Sequence, residues 1–243
     1  MKHGMMMVGL GLAISGTAPA AFTGYSIIAN NVTNSGINLT RYELFANFNG
    51  ATDTVLNVFN LALVSSQDAD GYGGFWHKDS SDYNGGVLSQ QYGTWAPQLT
   101  GSATLNRPFD SFLLIGGNPL GTNTTNADPS WNSGGSGSHA GNSNGWSRAD
   151  LVNNPVIGWF NSSPPNNQGR VGVAPNTATA VKLGQFMLTQ GHGTRIFSLR
   201  TAWNNGAGGS VVFNDGTFTL GPVPTPGAIA LLGLAGLTRR RRR

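Results

Sequence analysis

Apolar and polar residues alternate along much of the chain with a period of two, which is typical of half-buried β-strands. The clearest run is residues 40–48, whose apolar side consists of Tyr42, Leu44, Ala46 and Phe48. The polar side of the same run carries Arg41, Glu43 and Asn47. Phe45 breaks the alternation, because it places an aromatic ring among these polar residues.

The β pattern resumes at residues 54–64, directly after a turn signal at Asn49 and Gly50. Two adjacent β runs joined by a short Asn-Gly segment predict an antiparallel hairpin. A second hairpin is predicted around Asn214, Asp215 and Gly216, between residues 211–213 and 217–220. Other strands are expected in runs at residues 109–115, 156–160, 171–173, 181–189 and 195–203.

These runs are separated by turn-rich segments, of which residues 65–100 and 116–144 are the longest and are predicted to be loops. Many short strands without a helical period predict an all-β fold with a single antiparallel β-sandwich, such as a jelly roll, over residues 21–221. A barrel is the alternative, because strand pairing cannot be read from one sequence.

Composition supports a β-rich, exported protein. The chain has 36 glycines and 10% charged residues, which favours turns and disfavours the surfaces of helices. It contains no cysteine, so disulfides, thiolate catalysis and cysteine-based zinc sites are excluded. Removing Lys2 and the five C-terminal arginines leaves eight basic residues against ten acidic ones. The body is therefore slightly acidic, and the scattered basic residues do not indicate nucleic acid binding.

The N-terminus has the layout of a secretory signal peptide over residues 1–20. Lys2 supplies a positive charge, residues 5–14 are apolar, and the segment ends in Ala18-Pro19-Ala20. We expect this signal helix to be cleaved after Ala20, which would place the body of the protein outside the cytoplasm.

The C-terminal segment, residues 222–243, contains Pro224-Thr225-Pro226, a short apolar stretch and the arginines Arg239, Arg240, Arg241, Arg242 and Arg243. The apolar stretch is about half as long as the roughly twenty residues that span a bilayer. The arginines would hold the C-terminus on the cytoplasmic side. A short apolar helix that occupies the inner membrane transiently during export is the expected result.

These residues resemble the sorting signal of the PEP-CTERM family, which has a Pro-Glu-Pro motif, a short apolar helix and a terminal arginine cluster. Thr225 stands where that motif has glutamate, as in Pro-Thr-Pro variants of planctomycete type. The resemblance implies processing of the tail by an exosortase-like transpeptidase of a bacterium with a Gram-negative envelope. It also implies a final location at the cell surface or outside the cell, commonly together with exopolysaccharide. A plain membrane anchor or a basic tail is the alternative.

Motifs that identify an enzyme are absent from the body of the sequence. It has no G-x-S-x-G, H-E-x-x-H or P-loop motif, and its single glutamate, Glu43, has no evident carboxylate partner for glycoside hydrolysis. His77, His139 and His192 lack the spacing of a zinc site. No cofactor is expected.

Four aspartates are the best candidates for metal ligands, and the metal they would suit is calcium. Asp68-x-Asp70-Gly71, followed by Asp79 and Asp82, has part of the appearance of a calcium loop but no closing glutamate. Solvated turn residues are the simpler interpretation of these aspartates.

Tryptophans provide the candidate for ligand binding. Trp76, Trp131 and Trp146 lie in predicted loops, where exposed indoles could stack on sugar rings. The alternative is that these loop tryptophans close the ends of the sandwich. Trp159 and Trp203 lie in predicted strands and are expected in the core. The sequence thus predicts a non-enzymatic, exported structural or adhesive protein that binds polysaccharide; an extracellular carbohydrate-active enzyme is the alternative.

Overall fold

The computed structural model describes residues 20–78, 86–97, 108–117, 123–132, 147–152, 157–206 and 208–223. The predicted signal helix, the Pro-Thr-Pro motif and the terminal arginines lie outside these residues. Within the described ranges, no helix has the length and apolar content needed to cross a bilayer.

The described residues form nine strands and two short 3₁₀ turns, which confirms the all-β prediction. The strands are β1 (Phe22–Asn34), β2 (Ile37–Phe48), β3 (Thr54–Ser66), β4 (Phe112–Leu113), β5 (Thr125–Ala127), β6 (Ile157–Asn161), β7 (Ala180–Thr189), β8 (Arg195–Asn204) and β9 (Val212–Leu220). The 3₁₀ turns are Pro129–Asn132 and Pro164–Asn166.

The strands assemble into two antiparallel sheets that enclose one core. The four-stranded sheet has the order β1-β2-β7-β4, and the five-stranded sheet has the order β5-β6-β3-β8-β9. In β2 the predicted apolar side is confirmed, since Tyr42, Leu44, Ala46 and Phe48 are all buried. Phe186 and Phe197 come from opposite sheets and both stack on Phe218.

The predicted hairpin between residues 40–48 and 54–64 is wrong. Strand β2 pairs with β1 and β7, whereas β3 pairs with β6 and β8 in the other sheet. The chain between them crosses the sandwich in a turn closed by a hydrogen bond from the Gly50 N–H to Asp53 Oδ2. An Asn-Gly signal specifies a reversal of the chain, but burial of both apolar faces in one core decides which strands pair.

The second predicted hairpin is also wrong, because Asn214, Asp215 and Gly216 lie inside the continuous strand β9 and pair with β8. Asp215 forms an ion pair with Arg200 directly across from it. Gly216 leaves room for the Tyr25 ring, since a Cβ there would lie 2.8 Å from a Tyr25 ring carbon. These long-range contacts outweigh the local preference for a turn.

Three of the remaining strand predictions are confirmed by β6, β7 and β8. Residues 110–115 are buried as expected, and Phe109 is partly buried. The strand there is limited to β4, because neighbouring N–H groups bond to separate segments at Trp76, Trp95 and Leu183. Residues 171–173 form a turn in which Gly172 has φ +73°. The predicted loop at 116–144 contains β5 and the first 3₁₀ turn.

Candidate functional site

A groove of about 540 Å³ lies on the outer face of the four-stranded sheet. We call it the outer groove. Strands β2, β4 and β7 and the turn at residues 174–177 contribute to its walls. The described residues that line it are Arg41, Glu43, Phe45, Pro108, Phe112, Gly117, Ala174, Pro175, Thr177, Lys182 and Gln185. It therefore combines aromatic and proline surfaces with charged and amide groups, the composition expected of a specific binding site.

The period of β2 and an irregularity in β7 place these groups on one face. Because β2 buries its even-numbered residues between 40 and 48, Arg41, Glu43 and Phe45 all face outward. In β7 the register shifts, so that Lys182 pairs with Phe45 while Gly184 pairs with Leu44. The extra residue is a β-bulge, which lets Lys182 and Gln185 share the outer face although they are an odd number of residues apart.

The polar contacts of the groove centre on Lys182. Its Nζ lies 2.5 Å from Glu43 Oε1 and 3.5 Å from Gln185 Oε1. The same ammonium lies 5.5 Å from the centroid of the Phe112 ring, within the range of a cation–π interaction. Gln185 is buried and donates to the Asp110 carbonyl. These contacts hold the floor of the groove in a fixed arrangement.

Arg41 is the second cation that lines the groove. Its Nε lies 3.9 Å from Glu43 Oε2, which is beyond hydrogen-bond distance. That nitrogen is buried and has no hydrogen-bond partner, while the side chain as a whole is 24% exposed. Arg41 is therefore a cation that the fold keeps at the groove but leaves short of acceptors.

The structure gives the two aspartates of the predicted calcium site separate contacts. Asp68 forms an ion pair with Arg195, with 2.7 Å between Oδ2 and Nε, and also accepts from the Gly193 N–H. Asp70 Oδ1 accepts from the N–H groups of Tyr72 and Gly73. Burial tends to raise the pKa of Asp68, but its contacts with Arg195 and Gly193 outweigh burial and lower it.

An arginine already neutralises Asp68, and this arrangement opposes the joint binding of calcium by Asp68 and Asp70. Asp79 and Asp82 lie outside the described residues. In the described ranges there is no cluster of three or more His, Cys, Asp or Glu side chains that could hold a metal ion.

The described histidines are engaged inside the fold. His77 is buried, with Nδ1 3.5 Å from Asp110 Oδ1 and Nε2 3.0 Å from the Ala149 carbonyl oxygen. His192 Nε2 lies 2.6 Å from the Tyr42 hydroxyl, which also donates to the Gly221 carbonyl. His139 lies outside the described residues. His77 and His192 thus connect distant segments, which is a structural use of the imidazole.

The structure describes two of the three tryptophans of the predicted sugar-binding platform, Trp76 and Trp131. Trp131 is only 2% exposed and donates from Nε1 to the Gly158 carbonyl, so a sugar cannot reach its ring face. Trp76 is partly buried and donates to Thr189 Oγ1. Trp146 lies outside the described residues. Trp131 lies in the 3₁₀ turn Pro129–Asn132, and its indole closes the core, as Trp159 and Trp203 do from their strands.

A second, more apolar surface lies on the outer face of the five-stranded sheet. Phe59, Phe160 and Phe213 meet there around two shallow depressions of about 280 and 340 Å³. Phe213 is 57% exposed and contacts Phe59 edge to face. Asp128 is the charged residue among the described residues that line the two depressions, and the Arg200 guanidinium, paired with Asp215, lies 5.9 Å from the Phe59 ring centroid.

The site residues that the sequence analysis missed are Arg41, Phe45, Phe112 and Lys182. One feature of the sequence indicated this site: Phe45 places an aromatic ring on the polar side of β2, where the alternation predicts a polar residue. Comparisons of the chain with protein-family models, curated proteins and solved structures found no match.

Proposed function

We propose that this protein is an exported, non-enzymatic component of a bacterial cell envelope or extracellular matrix that binds polysaccharide through the outer groove. Its C-terminal segment would pass through the inner membrane transiently and be processed by an exosortase-like enzyme, leaving the β-sandwich at the cell surface or outside the cell. We also propose that the sandwich is jelly-roll-like, because the successive strands β2, β3, β4 and β5 alternate between the two sheets.

The observation that carries the binding proposal is the combination of Phe45 with polar groups in one groove. Sugar rings present both C–H faces and hydroxyl groups, so carbohydrate sites pair an aromatic surface with fixed donors and acceptors. Here Phe45 and the prolines supply apolar surface, and Glu43 and Lys182 supply an acceptor and a donor. The depressions on the outer face of the five-stranded sheet are smaller, and Asp128 is the charged residue among the described residues that line them, so the outer groove is the better candidate.

Export and sorting predict the mass of the mature protein. In a Gram-negative host that encodes an exosortase, the extracellular form should lack residues 1–20 and Arg239–Arg243. Intact-mass measurement of protein from the medium or cell surface checks this. An extracellular form that retains all five terminal arginines would show that the tail is a basic end or a plain anchor and would contradict processing.

Binding predicts a specific loss when the ring of Phe45 is removed. Phe45→Ala should weaken retardation in gels containing the bound polysaccharide by about five- to tenfold, the value of one aromatic contact. Phe213→Ala, which removes an exposed ring from the opposite sheet, is the matched control and should bind as the unaltered chain does. Equal losses in both variants would contradict the groove as the site.

Incubation of the protein with the same polysaccharide separates binding from the enzymatic alternative. If the protein released reducing ends from a polysaccharide, it would be a carbohydrate-active enzyme and the non-enzymatic proposal would be wrong. Glu43→Gln identifies the source of such activity, because it removes the carboxylate of the groove while keeping its size.

A further inference from the structure

The outer groove has a positive charge balance on a body that is otherwise slightly acidic. Among the described lining residues, Arg41 and Lys182 carry positive charge and Glu43 carries negative charge, an excess of one cation. The local sign is therefore opposite to that of the body of the chain, in which acidic residues outnumber basic ones. A site of this sign favours an anionic group on the ligand.

The two cations of the groove are not equivalent. Lys182 is held by Glu43 at 2.5 Å and lies over the Phe112 ring. Arg41 Nε lies 3.9 Å from Glu43 Oε2 and is buried without a hydrogen-bond partner among the residues that the structure describes. Of the two cations, Arg41 is therefore the one with a hydrogen-bond donor that the described residues leave unpaired.

A guanidinium matches one ligand group particularly well. Its planar set of N–H donors pairs with a carboxylate through two parallel hydrogen bonds, which an ammonium cannot do. Phe45 follows Arg41 on the same outer face of β2, so a sugar ring that packs on Phe45 could extend a carboxylate towards Arg41. Glu43, between them on that face, can accept hydrogen bonds from ring hydroxyls.

We propose that the outer groove selects an acidic polysaccharide and binds the carboxylate of a uronic acid residue through Arg41. This rests on the proposed polysaccharide-binding function and adds the chemical class of the ligand. Arg41 supplies the charge recognition, Phe45 supplies the surface for the sugar ring, and the Lys182–Glu43 pair fixes the position of the acceptor between them.

The test compares one polymer with and without its charge. The purified full chain is run in gels containing polygalacturonate, the same polymer as its methyl ester, sulfated dextran or neutral dextran. We expect polygalacturonate to retard the protein at a concentration about tenfold lower than the ester requires, because esterification removes the carboxylate that a charge-assisted hydrogen bond recognises. Added salt should reduce the retardation.

Substitutions at two arginines, Arg41 in the groove and Arg200 outside it, test the site against a matched control. Arg41→Gln should lose about tenfold in binding to polygalacturonate and little in binding to the ester. Arg200→Gln removes the same unit of charge from the exposed face of the other sheet and should leave binding unchanged. Arg41→Lys keeps the charge without the guanidinium and should recover only part of the loss.

The outcomes separate the two proposals. Equal binding of polygalacturonate and its ester would overturn the uronate inference and leave polysaccharide binding standing. Equal retardation by sulfated dextran would overturn carboxylate selectivity in the same way. Failure to bind any polymer would overturn both proposals. The ester comparison uses the unaltered chain, so the inference can fail even if Arg41→Gln does not fold.

Discussion

Replacing Gly116 with alanine is expected to destabilise the protein by more than about 4 kcal/mol, a loss that few single substitutions cause. Gly116 has φ +56°, and a Cβ built on it would lie 1.7 Å from the Gln168 carbonyl oxygen. That oxygen also accepts from Asn176 Nδ2 at 2.7 Å, so it cannot move away without breaking a buried contact. Unfolding in urea, followed by tryptophan fluorescence, measures the change.

Gly172 provides the control for this prediction. It has a similar backbone conformation, with φ +73°, but a Cβ there would meet nothing within 4 Å. Gly172→Ala should therefore show the strain of the left-handed conformation alone, about 1 kcal/mol after the lower entropy of the unfolded alanine chain is counted. Similar losses in the two variants would show that the close approach at Gly116 is relieved cheaply.

The second large effect is expected at Arg195. Its guanidinium is buried, pairs with Asp68, donates to the carbonyls of Gly71 and Gly73, and lies 5.2 Å from the Phe75 ring centroid. Arg195→Met keeps an apolar chain of similar length but leaves these acceptors without their donor. Loss of one partner of a buried ion pair costs about 3–5 kcal/mol, which urea unfolding at neutral pH would detect.

Arg200→Met is the control, since the pair of Arg200 with Asp215 is exposed on β8 and β9 and its loss should change stability little.

The pH dependence of stability gives a further check on the role of Arg195. Arg195 helps to lower the pKa of Asp68 in the folded protein, so Asp68 contributes stability above its unfolded pKa. That contribution is lost as the pH falls below about 4, and in Arg195→Met the loss should be smaller. Equal behaviour of the two arginine variants would contradict a buried role for Arg195.

The lesson of β2 is that local period and tertiary pairing are separate kinds of information. The alternation of residues 40–48 identified a strand and its buried face, because side chains on a strand alternate between its two sides. The pairing of that strand could not be predicted from the adjacent turn signal. Strands β2 and β3 occupy different sheets because each has an apolar face that must cover the other across the core.

The outer groove was only partly predictable for the same reason. Phe45, Arg41 and Glu43 share one face of β2, and that grouping follows from the period of the strand. Lys182 and Gln185 join them only because β7 pairs with β2 and contains a bulge, and Phe112 because β4 pairs with β7. Trp131 gives the converse case, since its sequence surroundings predict exposure while its packing buries it.

By itself, the sequence determined that the body of the chain is β-rich and which residues of its clearest strand face the core. It also predicts a signal peptide at the N-terminus and a sorting signal at the C-terminus. These properties depend on local periodicity and composition. The tertiary structure alone decided which strands pair, which tryptophans close the core and which polar groups meet in the outer groove. Those outcomes depend on contacts between residues far apart in the chain, and local sequence preferences carry little information about them.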